Sequence, residues 1–393
     1  MGFRSVVVMA VLGLCSVAAR AQLYLITGSP SPKSPGGYVS TMFPVERDGS
    51  VGKVQNLVTG SIGTDWISAS QDLRLAVLAP RALDQELVVV DFDKAAVVKR
   101  CRKPNMGMAL IEQWLLDLPG GTPAYVDYLA LGNRGELRAM SLDPAVSCDQ
   151  SFGIISPSDV KYLVASGSAG VAGVGGYDYL RAGIEKDGTL SRFFPHGVGK
   201  AYFDYQVPAE FLRDLMHPSP FIIANNKRVT MLSLIDYDRP ESFRLLAFRK
   251  SDKTWHRLPA MGEGTDDERA FGEYIAVAGA IRRQTGVGLE SQGKSEWRTA
   301  DSPTGPSMAA LFHDSRFIFP GRLYLYDVAA ERLYTIDTHQ GDSEILLVED
   351  GVVYYRASDR LYSATITDKG LTPGRLLATS DVIRDAHWAF IKH

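Results

Sequence analysis

The sequence predicts an all-β fold, a seven-bladed β-propeller, on three observations. Seven segments read as strand, polar turn, strand; most are preceded by a second such pair; and a single strand is left over at each end of the chain. Repeats of this kind at intervals of roughly 40 to 80 residues fit propeller blades better than a sandwich.

The seven hairpins span Val39 to Leu57, Leu87 to Arg100, Glu136 to Cys148, Tyr179 to Phe194, Phe243 to Leu258, Leu323 to Ile336 and Leu361 to Leu377. Their turns are Arg47-Asp48-Gly49, Asp93-Lys94-Ala95, Asp143-Pro144-Ala145, Lys186-Asp187-Gly188, Ser251-Asp252-Lys253, Val328-Ala329-Ala330 and Thr367-Asp368-Lys369-Gly370. Aspartate and glycine dominate because they accept the tight backbone geometry of a hairpin. The one turn without an aspartate has Asp327 just before it.

A four-stranded blade needs a second pair upstream. Trp66 to Leu78 supplies one, with Gln71-Asp72 at its turn, and Glu344 to Tyr355 repeats the plan. Before the first hairpin stands only Leu23 to Thr27, and after the last only His387 to Ile391. Paired with each other, these two strands complete one blade from the N- and C-terminal ends and leave the ring without an open edge.

The strand Leu23-Tyr-Leu-Ile-Thr-Gly28 with Asp48-Gly49, and the segment Tyr334-Thr-Ile-Asp-Thr338, resemble the broad superfamily of repeat propellers that includes the Tyr-Val-Thr-Asn repeat and lactonase-like propellers. The resemblance covers most of the chain as a strand pattern. It implies the propeller fold and transfers no catalytic residue.

At the N-terminus Arg4 precedes an apolar run from Val6 to Ala19, and Ala19-Arg20-Ala21 follows. This is the order of a secretory signal peptide, with cleavage expected after Ala21. The run is shorter than the roughly 20 apolar residues of a membrane span, so no transmembrane anchor is expected in the mature chain. The sequence thus divides into a leader, 1–21, and one propeller domain, 22–393, secreted or periplasmic. With 42 Lys and Arg against 45 Asp and Glu, and a net charge of −3, it lacks the basic footprint of a nucleic-acid binder. Export makes a disulfide between Cys101 and Cys148 permissible. If the two lie on outer strands of successive blades, their Cα atoms could exceed the roughly 7 Å a bridge tolerates.

Two insertions interrupt the rhythm. Pro208 to Met216 has apolar residues at helical spacing within an insertion near 207–217, and fills a gap between blades or presents a partner-binding element. The stretch 282–306 is rich in Gly, Ser, Thr and Gln and reads as a long loop. The glycine-rich run 167–176 has no Gly-Lys-Ser/Thr ending and is not a phosphate loop.

Ligands of propellers usually enter where the innermost strands begin. The candidates at those entries are Asp65, Trp66, Glu112, Glu273, Glu344, Asp385, His387 and Trp388. Converging carboxylates could hold Ca2+ or another hard cation, or a cationic substrate. As solvated loop aspartates they would do neither. His387 is either an acid–base group or a structural residue of the shared blade. The remaining histidines lack the paired spacing of a zinc site, and no nucleophile elbow is present. The sequence therefore leaves two functions open. One is a propeller that binds a protein, glycan or small molecule at its mouth or rim; the other is a lactonase-like, lyase or dehydrogenase-type enzyme with an acidic, cation-binding mouth.

Overall fold

The computed structural model describes residues 21–30, 38–60, 65–80, 86–102, 110–118, 122–131, 134–148, 152–158, 163–166, 180–194, 197–215, 218–236, 239–259, 261, 264–284, 315–340 and 342–393. The signal segment before Ala21, the glycine-rich run 167–176 and most of the 282–306 stretch lie outside them. Residues 282–284 are the end of a strand rather than loop.

The strands form seven blades around one axis, each ordered from the axis outward. Blade 1 is β29 (Ala386–Lys392), β1 (Gln22–Pro30), β2 (Tyr38–Pro44) and β3 (Gln55–Gly60). The two ends of the chain close it, antiparallel from Gln22 opposite Lys392 to Thr27 opposite Ala386. Blade 2 is β4 (Asp65–Ser70), β5 (Leu75–Pro80), β6 (Glu86–Asp91) and β7 (Ala96–Arg102). Blade 3 is β8 (Leu110–Leu118), β9 (Thr122–Leu131), β10 (Arg134–Ser141) and β11 (Phe152–Ile154).

Blade 4 is the irregular one. Its strands are β12 (Leu163–Ser166), β13 (Leu180–Ile184), β14 (Thr189–Phe194) and β15 (Gly199–Gln206), but β12 pairs with β8 of blade 3 and β13 with the first strand of blade 5. Blade 5 is β16 (Pro218–Asn225), β17 (Val229–Asp236), β18 (Arg239–Arg249) and β19 (Thr254–Arg257). Blade 6 is β20 (Gly264–Phe271), β21 (Tyr274–Gln284), β22 (Ser315–Asp327) and β23 (Arg332–Asp337). Blade 7 is β24 (Ser343–Glu349), β25 (Val352–Ala357), β26 (Arg360–Thr367) and β28 (Arg375–Thr379), with β27 (Gly370–Leu371) a short addition to β26.

Two expected hairpins are corrected by this topology. The Tyr179–Phe194 hairpin is the middle pair of blade 4, not its outer pair. In blade 3 the outer strand begins at Phe152, so Asp143 to Cys148 belongs to the connection. Blade 4 thus spends its clearest hairpin one position further in than the other blades.

The apolar runs alternate in which interface they fill. On β1, Leu25 packs toward blades 6 and 7 while Ile26 packs toward blade 2; on β2, Phe43 and Met42 divide the same way. On β6, Leu87 and Val89 face blade 3 while Val88 and Val90 face blade 1. Successive strand residues point to opposite faces, and both faces of a blade are covered by neighbours, which is why these strands read as continuous hydrophobic runs. Five such clusters join blade 1 to 2, 2 to 3, 3 through 5, 5 to 6, and 6 through 7 back to 1. The core is a closed circle of interblade layers.

The hairpin turns explain their own aspartates. Asp48, Asp143, Asp187 and Asp252 accept the backbone N–H two residues on; Asp91 and Asp327 accept the one three residues on. These carboxylates are turn hardware. The segment after Pro208 forms a single helical turn, α1 (Ala209–Leu212), whose Phe211 and Leu212, with Leu215 beyond it, pack against the core shared by blades 3 to 5.

Cys101 on β7 and Cys148 in the β10–β11 connection are joined by a disulfide, their Cα atoms 5.5 Å apart. The distance concern does not apply because Cys148 lies in the connection, which leans onto blade 2, rather than on the outer strand of blade 3. Among the described residues no helix is long and apolar enough to cross a membrane.

Candidate functional site

Six of the seven inner strands carry a register shift against a neighbour. It falls at Leu110/Glu112, Leu163/Ala165, Ile222/Ala224, Asp266/Arg269, Ile345/Leu347 and, seen from β1, opposite His387; among the described residues β4 has none. Bulges bend a strand and re-aim the side chains beside them. In blades 6, 7 and 1 the side chains so placed form one charged cluster.

Its centre is Glu344, second residue of β24 and 1% exposed. One carboxylate oxygen accepts from Arg269 of β20, the other from Arg356 of β25 at 3.0 Å and from Nδ1 of His387 on β29 at 3.2 Å. Both guanidinium groups are themselves buried, each 6% exposed. Burial alone would push the Glu344 carboxyl up, but Arg269, His387 and Arg356 outweigh it and hold the pKa at about 2. Burial opposes the charge on Arg356 as well, and Glu344 with Asp342 outweighs it, raising its pKa.

The arginines do a second thing. β29 is an inner strand, so the edge it turns toward the axis has no strand partner to satisfy its carbonyls. Arg356 donates to Ala386 O at 2.7 Å, Arg269 donates to His387 O, and Arg74 of blade 2 donates to Ile391 O at 2.6 Å. Three arginines from three other blades therefore cover the free edge of the C-terminal strand. The cluster is an arginine clasp on the shared blade.

Around it, Arg356 also pairs with the exposed Asp342 at 2.5 Å. Asp385 ends a 3-10 turn, Asp381–Asp385, just before β29, and burial raises its carboxyl against the pull of His387, Arg356 and Arg384. Arg269 lies over the indole of Trp388, its guanidinium carbon 4.5 Å from the ring centroid, and Phe271 meets the same ring edge-on at 6.0 Å. Trp388 Nε1 is buried with no hydrogen-bond partner among the described residues.

Of the sequence candidates, Glu344, Asp385, His387 and Trp388 come together here. Asp65 and Trp66 open β4 of blade 2, and Glu112 is the third residue of β8 of blade 3. Glu273 is corrected: it lies in the β20–β21 turn, where an inner strand ends rather than begins, and pairs with Arg249 at 2.7 Å. Among the described residues no three His, Cys, Asp or Glu side chains are grouped to hold a metal ion. Both oxygens of Glu344 are committed to Arg269, Arg356 and His387 of the protein itself.

Arg269 and Arg356 were not among the sequence candidates. The signal that could have found Arg356 is its place at the end of Val352-Val-Tyr-Tyr355, since a charge closing an apolar strand must find a buried partner. Arg269 follows Asp266-Asp-Glu268, which hides it in an ordinary run of charges.

Fold and clasp together define a closed, seven-bladed β-propeller whose ring is sealed by its own terminal strands. No protein-family model matches the chain, and no curated protein matches it either. Among solved structures it is similar to TolB from Acinetobacter baumannii, at 9% identity and a TM-score of 0.40 over 94% of this chain and 66% of that one. It spans slightly less than two thirds of that protein. It is also similar to apo AztD from Citrobacter koseri, at 10% identity and 0.40 over 94% and 97%, and to Saccharomyces cerevisiae Sqt1, at 7% and 0.39 over 91% and 86%. At these values the architecture rests on the strand pairing described above, and the likeness adds nothing about ligands.

Proposed function

We propose that this chain is an exported ligand-binding propeller whose recognition surface is the axial end where β24 and β29 begin. One observation carries the reading. Glu344, the most buried carboxylate among the described residues, has both oxygens bound to Arg269, Arg356 and His387, and those arginines hold the C-terminal strand. The cluster is thereby a frame for the mouth rather than a reactive centre. What it leaves outward is the exposed Asp342, with Asp385, Arg384 and Val382 on the adjoining 3-10 turn. That set suits a partner with basic and apolar groups, a protein, glycan or cationic small molecule. Export follows from the leader 1–21, and its test is the N-terminal mass of the secreted product, expected to begin at Gln22.

The competing enzyme reading is favoured by one geometric fact: a buried carboxylate oriented on His387 Nδ1, with Asp385 beside it, is an arrangement used for acid–base chemistry. A thermal-shift panel of amines, basic peptides, glycans and lactones separates the two. Binding that Asp342→Ala and Asp385→Ala weaken, with no turnover, supports the binding propeller. Turnover of a lactone that His387→Gln abolishes overturns it.

A further inference from the structure

At the opposite end, where the inner strands finish, the β4–β5 turn from Gln71 to Arg74 leaves its own blade. Asp72 Oδ2 accepts the backbone N–H of Lys227 at 2.6 Å, and Lys227 lies in the β16–β17 turn of blade 5. Blades 2 and 5 are not neighbours in the ring: blades 3 and 4 separate them on one side, and blades 6, 7 and 1 on the other. The same turn reaches blade 7, where Gln71 donates to Val348 O at 3.1 Å and Arg74 pairs with Glu349 at 3.2 Å. It reaches blade 1 through Arg74 and Ile391 O. Blade 5 is tied onward to blade 6 by Asn226, which donates to Gly272 O at 2.8 Å.

A turn that bonds to blades 1, 5 and 7 at once lies across the axis. We propose that the Gln71–Arg74 turn is a plug that shuts this end of the axial channel, leaving the propeller a cup open only where β24 and β29 begin. The inference deepens the binding reading, because a channel with one opening sends every ligand to that mouth. Local backbone supports the role: Arg74 adopts φ 54°, a left-handed conformation that costs an L-residue energy, and its side chain makes three separate polar contacts from it. Behind the plug, Lys250 donates to Asn225 Oδ1 at 2.8 Å and Asn226 O at 2.5 Å, fixing the blade 5 turn that Asp72 meets.

The test uses the full secreted chain and needs no ligand. In Asp72→Cys with Lys227→Cys, mild oxidation is expected to link blades 2 and 5 within one molecule, seen by mass spectrometry as a joined pair of peptides. The 2.6 Å contact brings the two backbones near the roughly 7 Å that a disulfide tolerates, whereas an open channel would hold them well apart. In a second measurement, Asp72→Ala is expected to speed exchange of the Lys227 amide about tenfold while the Val229 amide is unchanged. A folded double-cysteine variant that does not cross-link, or a Lys227 amide indifferent to Asp72→Ala, overturns the plug. Either result leaves the binding reading to be judged by its own panel, so the two fail separately.

Discussion

Glu344, on the inner strand of blade 7, lies 3.2 Å from Nδ1 of His387, on the inner strand of blade 1. The pair joins a strand contributed by the body of the chain to the strand that closes the ring. Arg269 and Arg356 bind both partners, the carboxylate of Glu344 and the backbone carbonyls around His387. Hydrogen bonds to charged groups are stronger than neutral ones, and here they stand where a sheet edge would otherwise be left unpaired.

Acid should therefore loosen the ring through Glu344. Its folded pKa of about 2 lies below the ordinary 4.5, so its contribution is complete above the unfolded value and is lost as pH falls from about 5 toward 2. The size is on the order of 3 kcal/mol. Urea unfolding at pH 7, 5 and 3 measures it. Glu344→Gln should unfold with a flatter pH profile than the wild type across that window, and Glu344→Ala, which strands two buried guanidinium groups, should cost about 3–5 kcal/mol at pH 7. Equal pH profiles for wild type and Glu344→Gln would assign the acid sensitivity elsewhere.

The disulfide gives a prediction of a different kind. Cys101 and Cys148 close a loop of 47 residues in sequence separation. In the chain-entropy account a loop of this length stabilises the fold by about 4 kcal/mol, acting on the unfolded state. Reduction, or Cys148→Ala, should lower the urea midpoint by that equivalent without changing the circular dichroism of the folded protein. Cys101, buried among Val77, Leu87 and Tyr125, is the poorer site to mutate because a polar replacement would add its own penalty.

Much of this architecture is written in local pattern. Hairpins with Asp48, Asp187 or Asp252 announce themselves because turn chemistry depends on two or three adjacent residues. The closure of Leu23–Thr27 on His387–Ile391 is legible because one unpaired strand at each end admits one solution. The clasp is not legible, since Arg269 meets Glu344 across 75 residues and through a bulge that no period-2 pattern reveals. Glu273 lies at the opposite end from the one its sequence position suggests, for a related reason. A carboxylate next to a strand looks the same whether the strand begins or ends there, and only the order of strands within a blade decides. Blade 4 shows the same limit, because its hairpin is local but its position in the sheet is not.

Two glycines separate contact from conformation. Gly188 has φ +87°, and a Cβ there would stand 2.5 Å from the carbonyl oxygen of Val207; Gly351 has φ +72°, and among the described residues no atom lies within 4 Å of a Cβ built there. Gly351→Ala should cost about 1 kcal/mol, the left-handed penalty alone. Gly188→Ala should cost roughly 2–3 kcal/mol, because the β13–β14 turn and the chain at Val207, just past β15, must also move apart to admit the new methyl. Chemical denaturation of both variants checks the difference, and equal losses would remove the steric contribution.

Lys250 supplies a test at the alkaline side. Burial lowers its pKa to about 8, against the attraction of Asp72, while an unfolded lysine titrates near 10.5. Between those values the unfolded chain binds more protons than the folded one, so stability rises with pH across that window. The direction is the reverse of an ordinary lysine paired with a carboxylate. Because the blade 5 turn that meets Asp72 is held by this ammonium through Asn225 and Asn226, its loss of charge relieves a burial cost without removing the amine as a donor. Lys250→Met should abolish the rise and be less stable than the wild type at pH 9.5, where the neutral amine still donates to the Asn226 carbonyl and methionine cannot. Melting temperatures at pH 7.5, 8.5 and 9.5 for both proteins decide the matter: a wild type that weakens steadily over this range, in parallel with Lys250→Met, would mean that the amine is solvated and that the turn is held by its backbone alone.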